Sequence, residues 1–102
     1  MTKLTVTLAQ LNLQWENPKK NLKQITALLD NQLTDETDLI VLPEMFTSGF
    51  TMDNVKIAEA INGNSVNWLS DTANKYNCAI TGSIPIAENG DIYNRLIFAT
   101  PD

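Results

Sequence analysis

The residues Leu39-Ile-Val-Leu-Pro-Glu44 join an unbroken apolar run to a proline and a glutamate. A strand with one wet face alternates polar and apolar residues, so an unbroken run is typical of a strand covered on both faces. Pro43 has no N–H to contribute to a sheet, which favours an end to the pairing at that point. We therefore expect Leu39–Leu42 to be a central strand and Glu44 to lie just beyond its carboxyl end.

The segment before the central strand is expected to form a strand and then a helix. Leu4–Leu13 largely alternates polar and apolar residues, which is typical of a strand. Asn17 is a good helix N-cap, and Pro18 suits the first turn because its missing N–H is not needed there. Apolar residues then recur at three- and four-residue spacing, which predicts an amphipathic helix that ends near Thr34-Asp35. These apolar positions are Leu22, Ile25, Leu28, Leu29 and Leu33.

After the central strand we expect a turn, a loop and a second helix. Thr47–Gly49 is typical of a turn. In Phe50–Ala60 the apolar residues recur at neither helical nor strand spacing, so this segment is predicted to be a loop. Asn64 or Ser65 suits the N-cap of a helix, and Asn77 suits its C-terminal end.

Two alternating runs around an Asn-Gly pair complete the chain. Cys78–Ile86 and Ile92–Ala99 flank Asn89-Gly90, and this combination is the strongest short-range indication of a hairpin. The order strand, helix, strand, helix, strand, strand predicts an α/β sheet that begins with two crossover units. Two helices cannot cover both faces of its central strand, so a further stretch of polypeptide or another chain must cover the second face. We expect the chain to be truncated after Asp102, where the next turn would begin.

Composition limits the class of protein. The chain has 102 residues, 43% of them apolar, which suits one small domain with a real core. Its net charge is −5 and its lysines are scattered, so nucleic acid and anionic membranes are not expected partners. The N-terminal residues alternate instead of forming a leader, no apolar stretch approaches the ~20 residues that span a bilayer, and Cys78 has no internal disulfide partner. A soluble protein of the cytoplasm is the expectation.

The chain contains no histidine, and this absence excludes several chemistries within these residues. Neither a Ser-His-Asp nor a Cys-His catalytic pair can form, and the common zinc arrangements are also removed. The four scattered glycines give no G-x-G-x-x-G and no Walker loop. We therefore expect no metal and no organic cofactor, which leaves carboxylate chemistry or binding alone.

Glu44 is the residue best placed for chemistry. Ligands of open α/β sheets bind at the carboxyl ends of strands, and Glu44 follows such an end. Beneath Met45, Phe46 and Phe50 its carboxylate would be partly desolvated, which suits a general base. Position alone is weak evidence, however, because a glutamate at the start of a loop is more often solvated or caps a turn.

Several short stretches together resemble the nitrilase superfamily of carbon–nitrogen hydrolases. They are Ala9–Asn12, Asp38–Phe46, Thr47–Phe50, Thr81–Ser83 and Tyr93-Asn94. Within the superfamily, Leu42–Met52 is most similar to the ω-amidase branch, which hydrolyses the terminal amide of small dicarboxylic acid monoamides such as α-ketoglutaramate. The resemblance implies an αββα sandwich, of which residues 1–102 would be the N-terminal portion of a single domain, and an enzyme that forms dimers.

The resemblance also implies a triad of glutamate, lysine and cysteine. Only Glu44 matches a triad position, as the general base, because the lysine and cysteine motifs of the family lie beyond Asp102. Cys78 precedes an alternating strand, has no cationic neighbour in sequence and is expected to be a small buried apolar residue. None of the six lysines suits the oxyanion. We therefore predict that this chain alone is inactive.

The resemblance further implies that Phe50, Met45, Phe46 and Met52 line a substrate pocket, although packing in the core is an equal alternative for Met45 and Phe46. Asn94, on an apolar strand, is expected to form a buried hydrogen bond that shapes the site. Two other hypotheses remain: a small α/β binding or interaction module, and a degenerate nitrilase-like protein without catalysis. The residues that follow position 102 would separate all three.

Overall fold

The computed structural model, which describes residues 2–102, contains four strands and three helices. Their bounds are β1 Val6–Leu8, α1 Pro18–Gln32, β2 Leu39–Val41, α2 Asn54–Ile57, α3 Asn64–Tyr76, β3 Ala79–Glu88 and β4 Asp91–Ala99. The strands lie in the order β1-β2-β3-β4, with the first three parallel and β4 antiparallel to β3. This arrangement confirms the predicted α/β class, with two crossover units followed by a hairpin.

The start of α1, the end of α3 and the turn of the hairpin follow from local sequence, as predicted, whereas α1 ends at Gln32 rather than near Thr34-Asp35. The side chain of Asn17 accepts the backbone N–H of Lys20 at 3.1 Å, and Pro18 occupies the first turn. Asn89 and Gly90 have φ values of 52° and 84°, the left-handed conformations that a two-residue hairpin turn requires. Asn77 also adopts a left-handed conformation, with φ of 51°, and ends α3.

The bounds of β1 and the N-cap of α3 differ from the predictions, in each case because of a contact outside the element. Strand β1 covers only Val6–Leu8 rather than Leu4–Leu13, since the chain beyond it turns to meet α1. The N-cap of α3 is Gly63, not Asn64 or Ser65. Gly63 has no side chain that could cap the helix. The carboxylate of Glu59 takes this role and accepts the backbone N–H of Ser65 at 2.9 Å.

The segment predicted to be a loop, Phe50–Ala60, contains the one-turn helix α2 and a bridge to the sheet. The N–H of Glu59 donates to the carbonyl of Pro85 at 3.1 Å, and its carbonyl accepts the N–H of Ala87 at 2.8 Å. These bonds join residues far apart in sequence, so the spacing of apolar residues within the segment does not predict them.

The helices cover one face of the sheet only. On that face Ile40, Ile80 and Ile84 are almost completely buried in a core shared with α1 and α3. On the opposite face Leu8 and Phe98 are 73% and 59% exposed, although they lie in the same cross-sheet row as Val41. The central strand is therefore covered on one face by the described residues, and its second face is open.

Candidate active site beyond the second strand

Glu44 lies in the turn that follows β2, at the carboxyl end of the parallel strands. Its side chain is exposed in this chain, and Oε2 accepts a hydrogen bond from Nδ2 of Asn94 at 3.0 Å. Asn94 lies on β4 opposite Pro85 and is also exposed. The hydrogen bond expected of Asn94 therefore exists and joins two residues that the sequence had singled out separately, but it is not buried.

An open cavity of about 380 Å³ surrounds this pair on the uncovered face of the sheet. Its lining consists of Val41, Leu42, Glu44, Thr81, Gly82, Ser83, Asn94 and Leu96. The polar groups are a carboxylate, an amide and two hydroxyls, set among apolar side chains and the backbone of a glycine. Such a small convergent polar set in an apolar surround is typical of a site that orients a small polar ligand.

The backbone directly after Glu44 has an unusual conformation. Met45 has a φ of 53°, in the left-handed region that residues with a Cβ rarely adopt. Its N–H donates to Oγ of Ser83 at 2.9 Å, and the N–H of Phe46 donates to the carbonyl of Ser83 at 3.3 Å. One residue of β3 thus binds two consecutive amides of the turn that carries the carboxylate.

Met45 and Phe46 pack inside the molecule. Phe46 is fully buried and its ring centroid lies 5.9 Å from that of Trp68. The ring also rests on Gly82, where an added Cβ would lie only 2.7 Å from Cδ1 of Phe46. Met45 is 4% exposed. Neither residue lines the cavity around Glu44, so the structure places both in the core, the alternative to pocket contact.

Phe50 and Met52 lie on the surface. They are 65% and 88% exposed, and neither is among the residues that line the cavity around Glu44. In this chain the structure therefore does not bring these two predicted pocket residues together with the carboxylate.

Asn21 of α1, which was not predicted as a functional residue, binds the turn after β2 through its buried side-chain amide. Asn21 is fully buried, its Oδ1 accepts the N–H of Gln14 at 2.6 Å, and its Nδ2 donates to the carbonyls of Gln14 and Thr47 at 2.8 Å each. Asn21 lies four residues before Ile25, on the buried stripe of α1. A polar residue on an apolar stripe was the available indication of such a role.

Glu16, in the loop between β1 and α1, binds the segment Thr51–Lys56 that follows the turn after β2. Its carboxylate accepts hydrogen bonds from Oγ1 of Thr51 at 2.6 Å and from Nζ of Lys56 at 3.1 Å. These two donors, the hydroxyl more than the ammonium, lower the pKa of the Glu16 carboxyl below its ordinary value. The contacts connect the β1–α1 loop to the segment that carries Phe50 and Met52.

Cys78 is buried, as predicted, and lies far from the candidate base along the strands. It immediately precedes β3 and is 4% exposed, and burial, with a smaller contribution from Asp38, raises the pKa of its thiol. In the parallel register β2 and β3 begin together, so Cys78 lies at the opposite end of the sheet from Glu44. A thiol with these properties is a poor nucleophile.

Within residues 2–102 no helix has the length and apolar character needed to cross a bilayer. The same residues bring together no cluster of three or more side chains of the types that commonly bind metals.

Comparison with known proteins is consistent with this geometry. Residues 5–102 match the family described as carbon-nitrogen hydrolase. The chain is 37% identical to the omega-amidase YafV of Escherichia coli strain K12 over 103 residues, and 28% identical to the 2-oxoglutaramate amidase of Bacillus subtilis over 99 residues. These matches cover 99% and 95% of the chain but only 38% of each relative.

Solved structures of the same superfamily have a similar fold. The CN-hydrolase superfamily protein XC1258 of Xanthomonas campestris superimposes with a TM-score of 0.92 at 38% identity, over 99% of this chain and 38% of that one. Nit3 of Saccharomyces cerevisiae, a member of the nitrilase superfamily, gives a TM-score of 0.79 at 32% identity, over 95% of this chain and 40% of that one. The chain therefore belongs to the carbon–nitrogen hydrolase family of the nitrilase superfamily.

Proposed function

We propose that residues 1–102 are the N-terminal portion of a single hydrolase domain that acts as an ω-amidase on small dicarboxylic acid monoamides, with Glu44 as its general base. The observation that carries this proposal is the Glu44 carboxylate, held at the carboxyl end of the sheet by Asn94 in a small polar cavity. The relatives named as an omega-amidase and a 2-oxoglutaramate amidase support this class of substrate.

In the proposed reaction Glu44 transfers protons between the substrate, water and a cysteine outside these residues. Glu44 takes the thiol proton, and the thiolate attacks the amide carbonyl while a lysine stabilises the oxyanion. The C–N bond then breaks, ammonia leaves with the proton held by Glu44, and a thioester remains. Glu44 next deprotonates a water that hydrolyses the thioester, and the proton returns to the cysteine. Because Oε2 is bound by Asn94, Oε1 is the oxygen free to exchange protons.

The position of the cavity supports a contribution from further polypeptide. The cavity opens on the uncovered face of the sheet, beside the exposed side chain of Leu96. The chain spans about 38% of the length of the curated relatives described above. Residues that pack over this face would cover Glu44, exclude water from it and supply the missing lysine and cysteine.

We propose further that the whole protein is a cytoplasmic dimer that uses neither a metal nor an organic cofactor and does not bind nucleic acid. The net charge of −5 supports the last point. Phe50 and Met52 are proposed to meet the substrate once the uncovered face is packed. For Met45 and Phe46 we propose an indirect role, through the shape of the turn that carries Glu44.

The direct test is ammonia release by the full-length polypeptide that continues this chain. We expect turnover of α-ketoglutaramate, and no turnover by purified residues 1–102 alone. A full-length protein that binds the monoamide without hydrolysing it would favour the second hypothesis, a binding module, and ammonia release by residues 1–102 alone would contradict the assignment of the missing nucleophile.

A further inference from the structure

The chain leaves the ladder between β2 and β3 next to Ser83. The N–H of Leu42 donates to the carbonyl of Thr81 at 2.9 Å, and the N–H of Phe46 donates to the carbonyl of Ser83 at 3.3 Å. The chain therefore advances four residues on the β2 side while β3 advances two. The surplus residues are forced out of the ladder, as in a β-bulge, and Glu44 lies among them.

The shape of this bulge depends on a side-chain bond. Met45 adopts a φ of 53° within the bulge, a conformation that is unfavourable for a residue with a Cβ. The Met45 N–H points at Oγ of Ser83, 2.9 Å away, and this hydroxyl is its hydrogen-bond partner. Without that acceptor the buried N–H of Met45 would lack a hydrogen-bond partner. The left-handed conformation of Met45 would then lose its stabilising bond, and a rotation of the backbone to an ordinary conformation would lower the free energy.

On the β3 side, the residues that contact the turn carrying Glu44 belong to a regular, paired strand. Ser83 is 7% exposed and lies in the middle of β3, where it pairs with Leu96 of β4. The ring of Phe46 packs against Gly82, the neighbour of Ser83, and fixes the far end of the bulge. The hydroxyl of Ser83 also lines the cavity that contains the Glu44 carboxylate.

We propose that Ser83 is a positioning residue for Glu44: by accepting the Met45 N–H, its hydroxyl fixes the strained turn and hence the direction of the carboxylate. This inference rests on the proposed function, since it assigns Ser83 a role only through the general base. Ser83 needs no contact with substrate for this role. Its removal should therefore change kcat more than KM, because a misdirected base slows proton transfer without removing binding contacts.

The test compares four variants of the full-length enzyme with ammonia release as the assay. Ser83→Ala should lower kcat by roughly 10- to 100-fold and leave KM within about 3-fold. Ser83→Thr keeps the hydroxyl that accepts the Met45 N–H, so kcat should stay within about 3-fold of wild type. Ser83→Cys keeps the shape but offers a weak acceptor, so its kcat should fall between those of the other two variants.

Thr37→Val is the matched control for loss of a buried hydroxyl. Thr37 is also 7% exposed, bonds Oγ1 of Thr7 at 2.7 Å, and lies before β2, at the end of the strand away from Glu44. This variant should lower the melting temperature without changing kcat by more than about 2-fold, which separates positioning from stability.

The possible results are distinct. If Ser83→Ala does not fold, Ser83→Cys decides the question. Wild-type kcat in Ser83→Ala or Ser83→Cys, or an effect on KM alone, would overturn the inference. Failure of the proposed function itself would be recognised separately, because the wild-type enzyme would then release no ammonia or Glu44→Gln would keep its turnover.

Discussion

Nδ2 of Asn94 donates a hydrogen bond of 3.0 Å to Oε2 of Glu44, although β3 separates β4 from the strand that leads to Glu44. The contact crosses the open face of the sheet and joins the hairpin to the turn after β2. A neutral amide donor next to a carboxylate fixes the orientation of the carboxylate, which a general base needs in order to reach the proton it accepts.

We predict that Asn94→Leu in the full-length enzyme lowers kcat/KM by roughly 10-fold, because a hydrogen bond to a charged group is lost. Asn94→Asp should lower it further, since a second carboxylate would lie beside Glu44. Thermal unfolding of both variants distinguishes an effect on the carboxylate from a loss of folded protein. Steady-state kinetics with a monoamide and thermal unfolding check the pair of expectations, and equal activity in Asn94→Asp and wild type would refute them.

Asn21→Leu should destabilise the protein by about 2–4 kcal/mol, because the amides and carbonyls that it binds would lose their buried partners. These partners are the N–H and carbonyl of Gln14 and the carbonyl of Thr47. The free energy of unfolding in urea measures the effect. Asn31→Leu, an exposed position on the same helix, should change it by less than about 0.5 kcal/mol. An equally small effect for Asn21→Leu would contradict the stabilising role of the Asn21 hydrogen bonds.

Acidification should remove the stabilising effect of Glu16. Its pKa is lowered in the folded protein, so the folded state favours the ionised form, and the benefit is present at neutral pH. The benefit should disappear as the pH falls from the ordinary glutamate value of 4.5 through the lower folded-state value. The difference in melting temperature between wild type and Glu16→Gln should therefore shrink below about pH 4.5.

Thr51→Val is the companion variant for that experiment. The Thr51 hydroxyl is the main cause of the lowered pKa of Glu16, so its removal should weaken the pH dependence. A difference between wild type and Glu16→Gln that stays constant down to pH 3 would contradict the prediction, because it would mean that ionisation of Glu16 does not contribute to stability.

Gly82→Ala should destabilise the protein by about 1–3 kcal/mol, because the added methyl would overlap the ring of Phe46. Phe46→Leu alone should also destabilise, through lost packing. The double variant should lose less than the sum of the two, since the smaller side chain makes room for the methyl. Urea denaturation of the three variants measures this coupling, and strict additivity would show that the two positions do not touch.

The elements that local patterns encode were predictable, and those that depend on distant partners were not. Asn17, Asn77 and the Asn89-Gly90 turn act through their own neighbours, and the predictions there are confirmed. Helix α2 and the start of α3 depend on the contacts of Glu59 with the sheet and with Ser65, which no local period reveals.

The same distinction applies to the candidate site. Glu44 stood out because it follows the carboxyl end of an apolar strand and matches the triad position of the resemblance, and Asn94 stood out as a polar residue on an apolar strand; the structure brings the two together. Asn21 did not stand out, and Ser83 stood out only as part of the Thr81–Ser83 stretch with no role assigned, because both act through bonds to backbone groups of the turn after Glu44. Sequence alone does not state which amides a buried polar side chain will meet.

The central claim, that Glu44 is the general base, is tested most directly by the turnover of Glu44→Gln in the full-length enzyme. The amide preserves shape but cannot accept a proton, so ammonia release should fall by at least about 100-fold while the protein remains folded. Glu36→Gln, an exposed glutamate before β2, is the matched control and should keep wild-type kcat. Wild-type ammonia release by a folded Glu44→Gln enzyme would contradict the account.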